Sequence, residues 1–149
     1  MSMTLKQHVD HWISSSDESS KDMRASIKSG RYLNALYCGH QSIEKIFKAL
    51  LAARNEQIVH IHSIVKLANK CKWSLPPAPL AEILSIDQFY IAAKYGSVKS
   101  QLYAQCTPLF AKQWTSTMRK WQTFVKKQVL IERATLPNNT VTTYPEAIY

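Results

Sequence analysis

Glycine is scarce in this chain. Three glycines and six prolines among 149 residues leave little material for the tight turns of a β-rich fold, which argues against one. Cysteine is scarce too: Cys38, Cys71 and Cys106 are odd in number, far apart and without a CxxC pair. They fit reduced thiols in a reducing compartment better than a disulfide framework or a zinc site, and Cys38, inside a helical pattern, reads as a structural thiol. No run of eighteen apolar residues occurs, so no transmembrane helix is expected. The opening MSMTLKQHVDHW is polar and lacks the apolar core of a signal peptide. The expected location is the cytoplasm, without a membrane partner. Also missing are a Gly-rich phosphate loop, a GxSxG elbow, an HExxH helix and an acidic metal cluster. Their absence weakens the case for an independent enzyme, and no cofactor or metal is expected.

Acidic residues are in short supply. Nineteen Lys and Arg stand against ten Asp and Glu, a formal charge of +9. The excess is uneven: from Gln88 onward eight basic residues face two acidic ones, +6, against 11 minus 8, +3, before that point. Such a field attracts polyanions, acidic protein surfaces or phosphorylated ligands; the alternative is a solvated face of a basic protein. With 46% hydrophobic and 19% charged residues, the composition is that of an ordinary globular chain of one domain with a real core.

What is present is helical periodicity. Thr4 to Lys28 carries it at Leu5, Val9, Trp12, Ile13, Met23 and Ile27, around a polar run, Ser14 to Ser20, that is either an exposed face or a break. Ser29-Gly30 is a stop signal, and a second helix follows from Tyr32 to Arg54 after a connection short enough for an antiparallel hairpin. A short helix is expected from about His62 to Lys70, and another from near Pro79 to Lys94-Tyr95-Gly96. Thr107-Pro108 is a capping hydroxyl followed by proline at the first helical position, the start of a long final helix. The sum is an all-α fold, an up-and-down helical bundle of four longer helices plus a short one, over residues 1–133. Residues 134–149 are expected to form an extended or disordered tail, with Tyr144, Ile148 and Tyr149 able to dock on a neighbour.

The stretch from Tyr32 to Leu51 carries most of the chemistry. Leu36, His40, Ile43, Phe47, Leu50 and Arg54 fall on one stripe of the helix, flanked by Gln41, Glu44 and Lys48, with Lys45 further round. His40 with Glu44, Glu44 with Lys48 and Gln41 with Lys45 are i, i+4 pairs; each adds only about 0.2–0.5 kcal/mol to an exposed helix. Two readings stand: ordinary surface pairs, or a polar cleft in which His40, Gln41, Glu44, Lys45, Lys48, His62, Lys94 and Tyr95 converge, lysines meeting phosphate and Tyr95 stacking on a base. His60 and His62 would share a side of an extended segment, as metal ligands can. No acidic or thiol partner completes such a site, and His62 reads better as a cap or backbone partner of the short helix.

The order of these signals resembles the HEPN family (higher eukaryotes and prokaryotes nucleotide-binding domain). Gly30-Arg31-Tyr32, Ala35, His40-Gln41-Ser42-Ile43-Glu44-Lys45 and Phe47-Lys48-Ala49-Leu50-Leu51 are similar to that family's second helix. His62 to Leu67 resembles its step into the third, Phe89 to Tyr95 its fourth-helix end, and the helix with Trp121 its closing helix. The likeness spans roughly residues 4 to 130. It implies a helical bundle that dimerises and is often encoded beside, or fused to, a minimal nucleotidyltransferase. Some members bind nucleotides, some are toxins of toxin–antitoxin pairs, and a subset are metal-independent ribonucleases. Lys94 stands where arginine is usual, and Gly96 and Ser97 where proline and aspartate are usual; lysine offers a phosphate a point charge in place of a bidentate fork.

Two functions follow. The first is a non-catalytic binding module, homodimeric, that binds a nucleotide or phosphorylated ligand, docks a minimal nucleotidyltransferase partner, or does both, with Trp12, Trp73, Trp114, Trp121 and Tyr149 as interface anchors. The second is a ribonuclease toxin acting on RNA drawn in by the basic final helix. The ribonuclease members carry an arginine, four to six residues, then a histidine, which Arg54 and His60 fit. Here that pair falls in the loop after the second helix, whereas active members place it on a late helix at the dimer cleft.

Overall fold

Thr4, Ser63 and Thr107 each open a helix of this molecule with a side-chain cap. The computed structural model describes residues 3–58 and 60–143, with residues 96–99 by backbone alone. Among the described residues six helices follow one another: α1 Leu5–Lys28, α2 Tyr32–Ala53, α3 Ile64–Lys70, α4 Pro77–Lys94, α5 Gly96–Gln105 and α6 Pro108–Ala134. The fold is the expected all-α bundle of four long helices and a short one, with α5 as an addition. No strand occurs among the described residues, only an isolated bridge between Thr4 and Val141.

A capping box opens α1. The Gln7 backbone N–H donates to the Thr4 hydroxyl and the Thr4 N–H donates to the Gln7 side chain, 3.1 and 3.0 Å, so two of the helix's orphan donors are satisfied at once. The serine run does not break the helix, and it is not simply an exposed face. Ser16, Ser19 and Ser20 are buried; Ser16 Oγ donates to the Ser42 carbonyl at 2.6 Å and accepts from Gln122 Nε2 at 3.2 Å. Small side chains let α1 lie close to α2, and the Ser16 and Ser19 hydroxyls stay bonded. Gly30, at φ +75°, takes the left-handed conformation that closes the α1–α2 turn, and the Arg31 N–H returns to the Ser26 carbonyl at 2.8 Å.

The centre of the bundle is α2. It packs most heavily against α1, then against α6, α4 and α3. Leu36, Ile43, Phe47 and Leu50, the apolar members of the stripe, are completely buried. The remaining boundaries differ little from expectation. α3 begins at Ile64 because Ser63, not His62, is its N-cap, accepting from the Lys66 N–H. α4 begins at Pro77, both Pro77 and Pro79 falling in the first turn where no N–H is required. α6 begins after Thr107, whose hydroxyl accepts from the Phe110 N–H at 3.2 Å.

After α6 the backbone turns back along the start of α1. Leu5 N–H donates to the Thr140 carbonyl at 2.8 Å and Thr142 N–H to the Met3 carbonyl at 3.1 Å. The expected docking of Tyr144, Ile148 and Tyr149 lies outside the described residues.

Candidate functional site

Burial separates the eight residues expected to share a cleft into three surroundings. His40, Glu44, Lys48 and His62 belong to one network at the junction of α2, α3 and α4. Lys48 and His40 have no exposed surface and Glu44 is 4% exposed, so these three sit inside the bundle. Glu44 lies between two donors: Lys48 Nζ donates to its Oε2 and His62 Nδ1 to its Oε1, each at 3.0 Å. Burial pushes the Lys48 pKa down, against the opposing pull of Glu44, and the Lys48 ammonium also lies 5.6 Å from the centre of a Trp12 ring.

The second half of this network belongs to α4. His40 Nε2 donates to Asp87 Oδ1 at 3.0 Å, while its Nδ1, buried, has no hydrogen-bond partner among the described residues. Asp87 also accepts from the Ile64 N–H at 2.8 Å, the Val65 N–H at 3.2 Å and the Ser63 hydroxyl at 3.2 Å. It therefore caps α3 from another helix. Burial works to raise its pKa, but the hydrogen bonds from His40, Ile64 and Val65 outweigh burial and hold the carboxyl below the ordinary value. The Tyr90 ring stacks against His40, His62 and Tyr37, with centroids 4.6, 5.2 and 5.7 Å apart.

Lys94 and Tyr95 form the second group, exposed at the end of α4. Lys94 Nζ lies 4.8 Å from the Tyr90 ring centre, and Tyr90, through hydrogen bonding and charge, holds its pKa above the ordinary value. Tyr95 is 61% exposed. The third group faces other neighbours: Lys45 Nζ donates to Ser19 Oγ of α1 at 2.9 Å, and Gln41 Nε2 donates to the Tyr37 hydroxyl at 3.2 Å.

A pocket of about 780 Å³ lies where the α1–α2 turn meets the end of α4 and α5. Lys94, Tyr37, Arg31, Tyr32, Asn34 and Tyr103 are among the residues that line it. The first turn of α2 borders it, and Arg31 at the N-cap supplies no side-chain cap bond, which leaves backbone N–H groups and a positive helix end toward this side. Sequence reasoning singled out Lys94 but missed Asp87, Tyr90, Arg31 and Tyr37. Asp87, Tyr90 and Lys94 follow at steps of three and four, a spacing that could have placed them on one face.

Arg54 and His60 stand apart from this region. Arg54 forms a two-pronged ion pair with Glu132 of α6, Nε to Oε1 at 2.8 Å and Nη2 to Oε2 at 3.0 Å, and also donates to the Cys71 carbonyl. His60 is exposed in the loop between α2 and α3. No group of three His, Cys, Asp or Glu able to hold a metal occurs among the described residues. Of the expected aromatic anchors, Trp12 is core, 1% exposed. Trp73 packs edge-on against Phe47 and Phe124, Trp114 against Phe89, and Trp121 Nε1 donates to Glu82 at 2.9 Å. Tyr149 lies outside the described residues. No helix among those described is long and apolar enough to cross a membrane.

Comparison with known proteins adds three findings. A family model described as "HEPN domain" matches residues 9–128. The crystal structure of TT1696 from Thermus thermophilus is similar in fold, with a TM-score of 0.68 at 20% identity over 81% of this chain and 98% of that one. No curated protein matches.

Proposed function

Because this chain belongs to the HEPN domain family, we propose that it is a binding module that holds a nucleotide or another phosphorylated ligand in the pocket at the α1–α2 turn. The observation that carries this reading is the lining of that pocket: two cations, Arg31 and Lys94, beside three tyrosines, Tyr32, Tyr37 and Tyr103, at the uncapped start of α2. Arginine and lysine with free helical N–H groups suit phosphate oxygens, and tyrosine faces suit a base. In this reading Lys94 touches the ligand. His40, Glu44, Lys48 and His62 act behind it, fixing Tyr90 and through it Tyr37 and Lys94, while Gln41 steadies the Tyr37 hydroxyl. Tyr95, though exposed next to Lys94 in the chain, does not line this pocket.

The module is proposed to act as a homodimer and to dock a nucleotidyltransferase partner, as the family implies. The ribonuclease alternative gains less support, because the Arg54 guanidinium is committed to Glu132 and the Cys71 carbonyl.

Thermal unfolding with ATP or ADP tests the pocket. Ligand at about 100 times its dissociation constant adds about 2.7 kcal/mol, which for a chain of this size is a rise of roughly 5–10 °C. Arg31→Ala with Lys94→Ala should abolish the rise while leaving the unliganded protein folded. Absence of any shift at millimolar nucleotide removes the nucleotide reading.

A further inference from the structure

The face formed by the second half of α1 and by α6 takes no part in the buried network or in the pocket above. A groove of about 750 Å³ runs along it. Met23, Ile27 and Phe124 line it, together with Arg24 and Lys28 from α1 and Lys112, Arg119, Lys120 and Lys127 from α6. No carboxylate lines it among the described residues. All six cations are exposed, and none forms an ion pair among the described residues. Their neighbours differ: on the same helix Lys126 pairs with Asp17 and Arg133 with Asp10. Lys112, Ser116, Arg119, Thr123 and Lys127 recur at steps of three and four, so they form a stripe down one side of α6. From Lys112 to Lys127 that stripe is about 22 Å long at about 1.5 Å per residue.

Like charges gathered along one groove repel each other, and that repulsion opposes folding unless an anion relieves it. Two kinds of polyanion could do so. An acidic protein segment would meet these exposed cations as separate surface ion pairs, each worth little. A nucleic acid strand carries a charge at every residue and gains affinity by releasing condensed counterions. The groove's other groups also suit a strand. Ser116 and Thr123 offer hydroxyl donors to phosphate oxygens. Phe124, 61% exposed, presents a ring among the cations, where an unstacked base can reach it and a base inside a duplex cannot.

We propose that the α1–α6 groove binds single-stranded nucleic acid through its phosphate backbone, with Phe124 stacking on a base. The site is separate from the nucleotide pocket and stands or falls independently of it. The test is fluorescence anisotropy of the full chain with labelled oligouridylate or oligothymidylate of about 12 nucleotides. About four phosphate contacts predict a log–log salt slope of about −3. Arg119→Glu with Lys120→Glu should weaken binding at least tenfold and flatten the slope. Phe124→Ala should weaken it about tenfold with the slope kept, since stacking carries no charge. Lys66→Ala, at an exposed cation of α3 that lines neither pocket, should leave it unchanged. Circular dichroism on each variant checks that these surface changes leave the helices intact. The proposal is overturned by absence of binding at low salt, or by binding that the Arg119/Lys120 reversal does not weaken. It is equally overturned if polyglutamate of matched charge competes as well as the oligonucleotide, which would assign the groove to an acidic protein.

Discussion

Asp87 shows how much one side chain can organise. It ties α2 to α4 through His40 and starts α3 through the Ser63 hydroxyl and two backbone N–H groups. Because these bonds hold its pKa below the ordinary carboxylate value despite burial, the folded state binds this proton less readily than the unfolded chain. Its contribution is therefore complete above the unfolded value of about 3.9 and is lost as pH falls through the lower, folded value. Asp87→Asn is expected to cost about 1.5–3 kcal/mol at neutral pH, the scale of hydrogen bonds to a charged group. The gap to the unmodified protein should close in acid. Urea unfolding at neutral pH and at about pH 3, below the unfolded value, measures it, and a gap of constant size would show that the carboxylate's charge is not what matters. The neighbouring Glu44–Lys48 pair is a different case. Its burial makes it costly to break from one side, about 3–5 kcal/mol, without making it a net source of stability. The Cys71 thiol is pushed up to about 12 by burial, which keeps it in the inert thiol form.

Among the elements, α2 decides the packing, and Gly39 decides how closely α2 is approached. A Cβ added there would collide with Met118 Sδ and stand 2.9 Å from Met23 Sδ, so α1 and α6 both close on α2 at this point. Gly39→Ala gains about 1 kcal/mol of helix propensity and meets an overpacking cost of about 1–3 kcal/mol. With a contact this short the cost wins, and the variant should melt lower. In a double-mutant cycle with Met118→Ala, the combined loss should fall short of the sum of the two single losses by at least about 0.5 kcal/mol. Strict additivity would mean that Met118 does not meet residue 39. α5 escapes a reading by sequence for a related reason. Among its described side chains Leu102 is buried while Gln101, Tyr103, Ala104 and Gln105 are exposed, and a helix without an apolar stripe leaves no period to read.

At the scale of the whole molecule, α4 carries an apolar surface on its outer side. It buries Ile83, Ile86, Phe89 and Ala92 against the bundle, yet Leu84 and Ile91 are 50% and 48% exposed. They lie seven residues apart, two turns along one side, so α4 is apolar toward both core and surface. A helix of that kind is expected to be covered, and a second copy through α4 fits the proposed homodimer. Sedimentation at on the order of 10 µM, well above a sub-micromolar dissociation constant, should report a dimer. Leu84→Glu with Ile91→Glu should give a folded monomer. A monomer in the unmodified protein would remove the homodimer, and a dimer indifferent to the double change would place the interface elsewhere.

Local pattern determined the helices of this chain. The positions of α1, α2, α3, α4 and α6 could be read to within a few residues, because caps such as Thr4 and Thr107, proline placement and the helical period are properties of neighbouring residues. The candidate site was legible only in part. His40, Glu44 and Lys48 could be grouped by spacing, but spacing carries no information on depth, and a Glu–Lys pair at i, i+4 looks the same on a surface as in a core. Only tertiary packing decided that Lys48 is enclosed beside Trp12 and that Asp87 reaches across to cap α3. It also drew Arg31 and Tyr37 of one hairpin to the same pocket as Lys94 of α4. Those relations join residues far apart along the chain, and a pattern that repeats every three or four residues cannot encode them.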